Sequence, residues 1–306
     1  MLNPAPRPIL KRSFLLLLLL VVNWLGVSCW SSPAVAQFHY RDFDSGPKLT
    51  LPDNIKARAA LLIDAQTGRV LYARNADAQL LPASTTKLMT ALIAYERLGL
   101  NGSITIVGDD RAEPSNIPVV PGETISVDKL FHALLIESAN DAARTLARAT
   151  AGSVPAFVNM MNQRALAMGC FNTHFNNPNG LPAPTGTHYT SCADLMKIFR
   201  AVIAIPQLRV MCSTKEYVLR TEAKTQTLHN HNKLLGYYPG MGPAKTGWTV
   251  ASRHTYAASD TQNGHELLLT LLDSPNKWAD AQILYNWGFA QYPPSYSATS
   301  QPTNSR

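Results

Sequence analysis

PASTTKLMTALIAYERLG, residues 82–99, decides how this chain is read. Leu88, Met89, Leu92, Ile93 and Tyr95 cover much of a helical circumference, which predicts a central, buried helix. Pro82 and Ser84 stand at its front, as helix-starting residues do. Lys87 enters just where the helix should meet a core, and Lys is almost never fully buried without a partner. Ser84 is therefore either an ordinary cap or one half of a chemical pair. At i and i+3 it shares a helix face with Lys87. A backbone N–H at a helix start is open to a substrate oxygen, and the dipole favours negative charge there. A Lys acts as a base only when its amine is partly neutral, which burial and a second nearby cation both promote.

Two further short motifs supply what such a pair needs. Lys245-Thr246-Gly247 in AKTGWT offers a cation, a hydroxyl and a residue without Cβ, so that a substrate backbone can lie along a strand edge. Ser138-Ala139-Asn140 offers a hydroxyl for proton shuttling and an amide to orient a carbonyl. Each motif alone has a plain structural explanation: a cap, an inter-helix turn, a strand end. Ser45-Gly-Pro-Lys48 repeats the first spacing, but its Gly and Pro oppose a helix. Ser274-Pro-Asn276 mimics the second. The order of the three decides for chemistry: a helix start after a hairpin, a break between helices, and a late strand.

Around these motifs the pattern is strands, then helices, then strands. Ala59–Ile63 and Arg69–Ala73 read as a hairpin. Ser126 reads as an N-cap, and Val127, Leu130, Phe131, Leu134 and Leu135 form one helical face. Helices are expected over Ala142–Ala149, over Pro155–Met168 with a stop at Gly169, and from Ser191 through Ile203 before Pro206. Tyr217–Arg220, His254–Ala258 and Leu267–Leu272 read as strands, with a hairpin turn at Asn263-Gly264 and a helix over Trp278–Trp287. The expected class is α+β: an antiparallel sheet from both chain ends, flanked by helices, with a helical insert.

Residues 1–36 read as a secretory signal peptide: Arg7, Lys11 and Arg12, an apolar run from Phe14, then Ala34-Val35-Ala36. An uncleaved anchor is the alternative, and Cys29 is a weak lipoprotein signal because Gly26 stands where a large aliphatic residue is preferred. Residues 37–58 form a lead-in, 59–290 one large domain, and 291–306 a Pro/Ser/Thr-rich disordered tail. Setting residues 1–36 aside, with three basic residues and no acidic one, lowers the formal net charge from +7 to +4. That suits peripheral contact with an anionic cell wall or membrane surface. No basic run with interleaved aromatics argues for nucleic acid. Cys170, Cys192 and Cys212 are an odd set with no zinc spacing, so at most one pair could form and no metal or cofactor is expected. His229 and His231 read as a polar loop or strand edge.

The chain resembles the low-molecular-mass penicillin-binding proteins, the serine D-alanyl-D-alanine carboxypeptidases. LLIDAQTGRVLYARNAD, PASTTKLMTA, SANDAA, NPNGL, LHNHNKLL, AKTGWT and NWGF carry the likeness from about Ala59 to Phe289. The resemblance implies a β-lactamase/transpeptidase-like fold, with peptidoglycan pentapeptide as substrate and β-lactam antibiotics as inhibitors. It implies Ser84 as nucleophile, Lys87 as general base, and Ser138 and Asn140 as the second wall. Lys245 and Thr246, with Gly247 and Trp248, would bind substrate, and the N–H groups of Ser84 and Trp248 would form the oxyanion hole. Lys277 stands where the family often has a carboxylate-binding Arg; Lys is only a point charge, and a solvated loop residue is the alternative. Pro243-Ala244 and Asn179 also depart from the family pattern. Longer members add a β-rich domain and an amphipathic anchor, for which the residues after 290 are too few. A D,D-endopeptidase is a sibling reading. A class A β-lactamase lacks its deacylating Glu here, since no Glu occurs between Ser138 and Glu216. A non-catalytic wall-binding module is the alternative from another class.

Overall fold

Alternation along the first strand dictates the architecture. In the computed structural model, which describes residues 51–52, 54–183 and 187–292, β1 (Ala59–Asp64) is buried along its whole length. Its odd and even residues face different cores, as a pleated strand requires. Ala59, Leu61 and Ile63 join the larger core, while Ala60 and Leu62 join a smaller one. The expected leader, the Ser45–Lys48 spacing and the expected tail beyond Tyr292 lie outside the described residues; Gln291 and Tyr292, expected in that tail, still belong to the domain, where Tyr292 stacks on His265 and its hydroxyl donates to Asp64.

β2 (Val70–Arg74) closes the first hairpin. A 3-10 turn, Ala83–Thr86, then leads into α1 (Lys87–Leu98), whose residues from Lys87 to Ala94 are all buried. Two three-residue strands, β3 (Ser103–Thr105) and β4 (Thr124–Ser126), pair before α2 (Val127–His132). Ser126 caps α2 by accepting the Lys129 N–H at 3.4 Å. A π-helical turn, Ala133–Glu137, carries the chain to Ser138. α3 (Asn140–Ala151) and α4 (Val154–Ala167) follow, and Gly169 takes φ 69 just beyond α4. α5 (Cys192–Ile203) is capped by Ser191, whose hydroxyl accepts the Asp194 N–H at 3.1 Å.

α6 (Pro206–Ser213) was not legible as a helix. Pro206 ends nothing by itself; it is the first residue of a new helix, where its missing N–H is harmless. β5 (Glu216–Arg220) and β6 (Thr225–His229) form a separate antiparallel pair. β7 (Met241–Thr249), β8 (Arg253–Gln262) and β9 (His265–Ser274) complete the main sheet, and α7 (Lys277–Phe289) closes it. Asn263 and Gly264, at φ 50 and 81, make the expected β8–β9 turn, in which both central residues need positive φ.

The five-stranded sheet has the order β2-β1-β9-β8-β7 and is antiparallel throughout. Strands from the two ends of the domain therefore meet at the β1–β9 pair. α5 packs on one face and α7 on the other. β7 is an edge strand, and the Ala83–Thr86 turn packs against it. Cys170, Cys192 and Cys212 are buried free thiols. Among the described residues no helix is long and apolar enough to cross a membrane, and no His/Cys/Asp/Glu group could hold a metal ion.

Candidate active site

Ser84 does not cap a helix. It lies inside the 3-10 turn, and α1 starts at Lys87 with no side-chain cap bond. The turn is pinned from several sides. The Pro82 carbonyl accepts the hydroxyls of Thr85 (2.6 Å) and, from β8, Thr255 (2.8 Å). Ala83 is held at φ 47, a left-handed conformation uncommon outside glycine. Gly180, at φ 86, lets the 177–181 loop touch this turn: a Cβ there would stand 1.8 Å from the Ala83 carbonyl oxygen. His188 braces it from beneath. The Asn176 N–H donates to Nδ1 (3.0 Å), so Nε2 carries the proton and donates to Thr86 Oγ1 (2.9 Å). Burial pulls His188 down to about 4, so the ring stays neutral.

Gly247 has a structural reason to lack a side chain. A Cβ on it would lie 2.3 Å from Thr255 Oγ1 and 2.7 Å from the Ser84 nitrogen. The missing side chain makes room for the protein's own Ser84 turn against β7.

Lys87 is fully buried. Its Nζ lies 3.0 Å from Ser84 Oγ, 2.7 Å from Asn140 Oδ1 and 2.8 Å from the Asn179 carbonyl oxygen. Burial lowers its pKa well below the usual lysine value, and the charge of Lys245 lowers it further. Asn140 and Asn179 present acceptors only, since Asn140 Nδ2 donates to the Pro114 carbonyl. A neutral amine has two N–H donors and one lone pair. The two donors match these carbonyls, and the lone pair is left to accept the Ser84 hydroxyl proton. The site thus fits a neutral Lys87 bonded to the nucleophile.

Ser138 closes the π-helical turn at φ 63, and its Oγ accepts from Lys245 Nζ at 2.9 Å. Lys245 also donates to the Thr246 carbonyl at 3.1 Å. Burial lowers Lys245 to about 8, with the charge of Lys277 acting in the same sense. Behind this wall the Asp141 carboxylate accepts the N–H groups of Ile117 (2.9 Å) and Val119 (3.4 Å), fixing the loop whose Ser115 carbonyl receives the Asn140 N–H.

The fold thus unites Ser84 from the turn before α1, Lys87 from the start of α1, Ser138 from the α2–α3 break, Asn140 from the start of α3 and Lys245 from β7. Thr246 is buried beside them, and Trp248 stands 58% exposed at the strand end. Lys277 is not a solvated loop residue: it is the first residue of α7 and only 6% exposed. Sequence reasoning missed the Asn179 carbonyl and Asp141 as supports. A backbone carbonyl has no residue identity to betray it, and a buried Asp at a helix start reads as helix charge.

The family model for D-alanyl-D-alanine carboxypeptidase, peptidase S11, matches residues 47–276. The chain belongs to this family. Among its carboxypeptidase relatives, Mycobacterium tuberculosis DacB2 is 32% identical over 259 residues, covering 82% of this chain and 88% of that protein. Bacillus subtilis DacF is 32% identical over 248 residues, which cover 78% of this chain and 63% of DacF. The crystal structure of the Streptomyces K15 DD-transpeptidase superposes with a TM-score of 0.74 at 29% identity, covering 79% of this chain and all of that one. The α+β, transpeptidase-like fold expected from the sequence is the fold observed. Membership makes the protein a serine-type peptidase with a penicillin-binding architecture, and places the Ser84–Lys87 geometry within a hydrolase family.

Proposed function

We propose that the protein removes the terminal D-Ala from peptidoglycan stem peptides through an ester on Ser84. The observation that carries this is the buried Lys87 amine, 3.0 Å from Ser84 Oγ and held by two carbonyl oxygens. Neutral Lys87 takes the Ser84 hydroxyl proton as Oγ attacks the carbonyl carbon of the penultimate D-Ala. The N–H groups of Ser84 and Trp248 receive the oxyanion, each such donor being worth about 2.7–4 kcal/mol. The C–N bond then breaks. Ser138, hydrogen-bonded to Lys245, hands its proton to the leaving amine and takes in its place the one that Lys87 gained, so that free D-Ala departs with Lys87 neutral again. Water, deprotonated by the same Lys87, attacks the ester and returns the proton and Ser84 to their starting state. Lys245, Thr246 and Lys277 meet the terminal carboxylate, and Asn140 orients the peptide.

A β-lactam ring presents the same carbonyl beside a carboxylate, so it should acylate Ser84 and remain bound. Intact mass after mixing with penicillin, followed by peptide mapping, tests this. A stable adduct on Ser84 that is lost in Ser84→Ala is expected; an adduct elsewhere would reassign the nucleophile. A second reading, cleavage of cross-links by the same serine, is favoured by a Pseudomonas aeruginosa relative named D-alanyl-D-alanine endopeptidase, 33% identical over 253 residues. Release of D-Ala from a pentapeptide, measured against cutting of a cross-linked dimer, separates the two. The substrate further implies export, with residues 1–36 as the signal; a secreted chain beginning at Gln37 is the expected outcome of N-terminal sequencing.

A further inference from the structure

At the outer end of β7, the neighbouring strand and helix bring a histidine and a lysine together. Lys277 Nζ lies 3.0 Å from His254 Nδ1 and 4.5 Å from the Trp278 ring centroid. His254 sits opposite Trp248 in the β7–β8 register and opposite Ser274 in the β8–β9 register. It therefore links the strand end carrying Lys245 to the first residue of α7. An ammonium has donors only. His254 Nδ1 must accept, and the imidazole proton rests on Nε2. Burial lowers Lys277 to about 8, and burial together with the Lys277 charge lowers His254. A neutral ring beside a cation is the state this geometry holds. The charge of Lys277 is felt in turn at Lys245, so the two ammonium groups belong to one positive region.

We infer that His254 is a positioning residue of the peptidase, its Nδ1 fixing the Lys277 ammonium against the Trp278 face so that it meets the substrate's terminal carboxylate. The physical need is clear. A guanidinium is a rigid fork that orients itself on a carboxylate, whereas an ammonium rides on a flexible four-carbon stem. An acceptor on one side and an aromatic face on the other remove that freedom before substrate arrives. The inference rests on the carboxypeptidase reading above.

The test is steady-state release of D-Ala from an N-acetylated peptide ending in D-Ala-D-Ala. His254→Leu removes the acceptor. His254→Asn places an amide Oδ1 where Nδ1 stood. Both are made with Lys277 and in Lys277→Ala. The expected result is a KM about tenfold higher in His254→Leu with kcat within about twofold, largely restored in His254→Asn. In the Lys277→Ala background, His254→Leu should change nothing further, because the two residues then share no interaction. An unchanged KM in His254→Leu overturns the inference. So does an equal rise in both backgrounds, or an Asn variant no better than Leu. Should His254→Leu fail to fold, His254→Ala, which also removes the acceptor, takes its place in the two backgrounds: an equal effect on KM in both would sink the assignment. Penicillin acylation of the wild-type chain separates the levels. Acylation without any D-Ala release overturns the substrate reading and this inference with it, whereas normal release with a KM indifferent to His254 overturns the inference alone.

Discussion

Ser138-Ala139-Asn140 and Ser274-Pro275-Asn276 share a pattern, and each leads into a helix. At the second, the side chains serve the helix. Asn276 accepts the Ala279 N–H at 3.3 Å, and Ser274 Oγ donates to Asp280 at 2.6 Å. At the first, they do not. Ala139 occupies the cap position of α3 without a side-chain bond, Ser138 turns to Lys245, and the Asn140 amide turns to Lys87. A missing cap costs about 1 kcal/mol, and a non-glycine residue in the left-handed region costs roughly 1 kcal/mol or more. The active-site copy gives up local stability that the other copy keeps. The diverted side chains, not the spelling of the motif, mark the chemistry.

The sharpest way to break this contrast is to remove the group toward which Asn140 is diverted. Lys87→Ala should slow penicillin acylation on the order of 10²–10⁴-fold, the usual loss when a general base is removed. Stopped-flow or quenched mass measurements would show it, and an unchanged rate would take Lys87 out of that role. Asn140→Ala leaves the base but removes an acceptor from it. A hydrogen bond to a charged or charging group is worth about 1.5–3 kcal/mol, so acylation should fall roughly 10- to 150-fold. A loss below twofold would mean that the diversion serves nothing.

The pH profile sharpens the same picture. Lys87 must be neutral, so kcat/KM should rise with pH on the acid limb. Lys245 and Lys277 must be charged to hold a carboxylate, and both lie at about 8. Their charge is present below that pH and lost above it. KM should therefore climb roughly tenfold per pH unit beyond it for each of the two lysines that binding requires, and a flat alkaline limb would deny them the carboxylate. At the other copy the effect should be small and purely structural. Asn276→Ala should leave the acylation rate within about twofold and lower the melting temperature by about 2–4 °C, the loss of one cap in a domain of this size. A large loss of acylation there would erase the distinction.

The legible parts of the fold were those with strong local periodicity. The first hairpin, α1, the face of α2 and the β8–β9 turn follow from apolar spacing and from Asn263-Gly264. The illegible parts had little local signal. β3 and β4 are three residues each, β6 reads TQTLH with little apolar content, and α6 begins on a proline that equally well ends α5. At the site, Ser84, Lys87, Ser138, Asn140 and Lys245 were found because their side-chain chemistry is explicit. Asn179 contributes a carbonyl, and Gly247 contributes an absence whose reason is the neighbouring Ser84 turn. His254 matters only through Lys277, 23 residues away in sequence. Such properties belong to tertiary contact, and no spacing rule reaches them.

The three buried thiols have a practical consequence. Burial pushes Cys170, Cys192 and Cys212 each up to about 12. At neutral pH the reactive thiolate fraction is then on the order of 10⁻⁵. Among the described residues the domain offers an oxidant no exposed thiol, and no disulfide links these three cysteines. It should accordingly be obtainable from a reducing cytosol as readily as from an oxidising compartment. Labelling by a maleimide dye would then count opening events rather than surface chemistry, giving this protein an internal clock for its own unfolding.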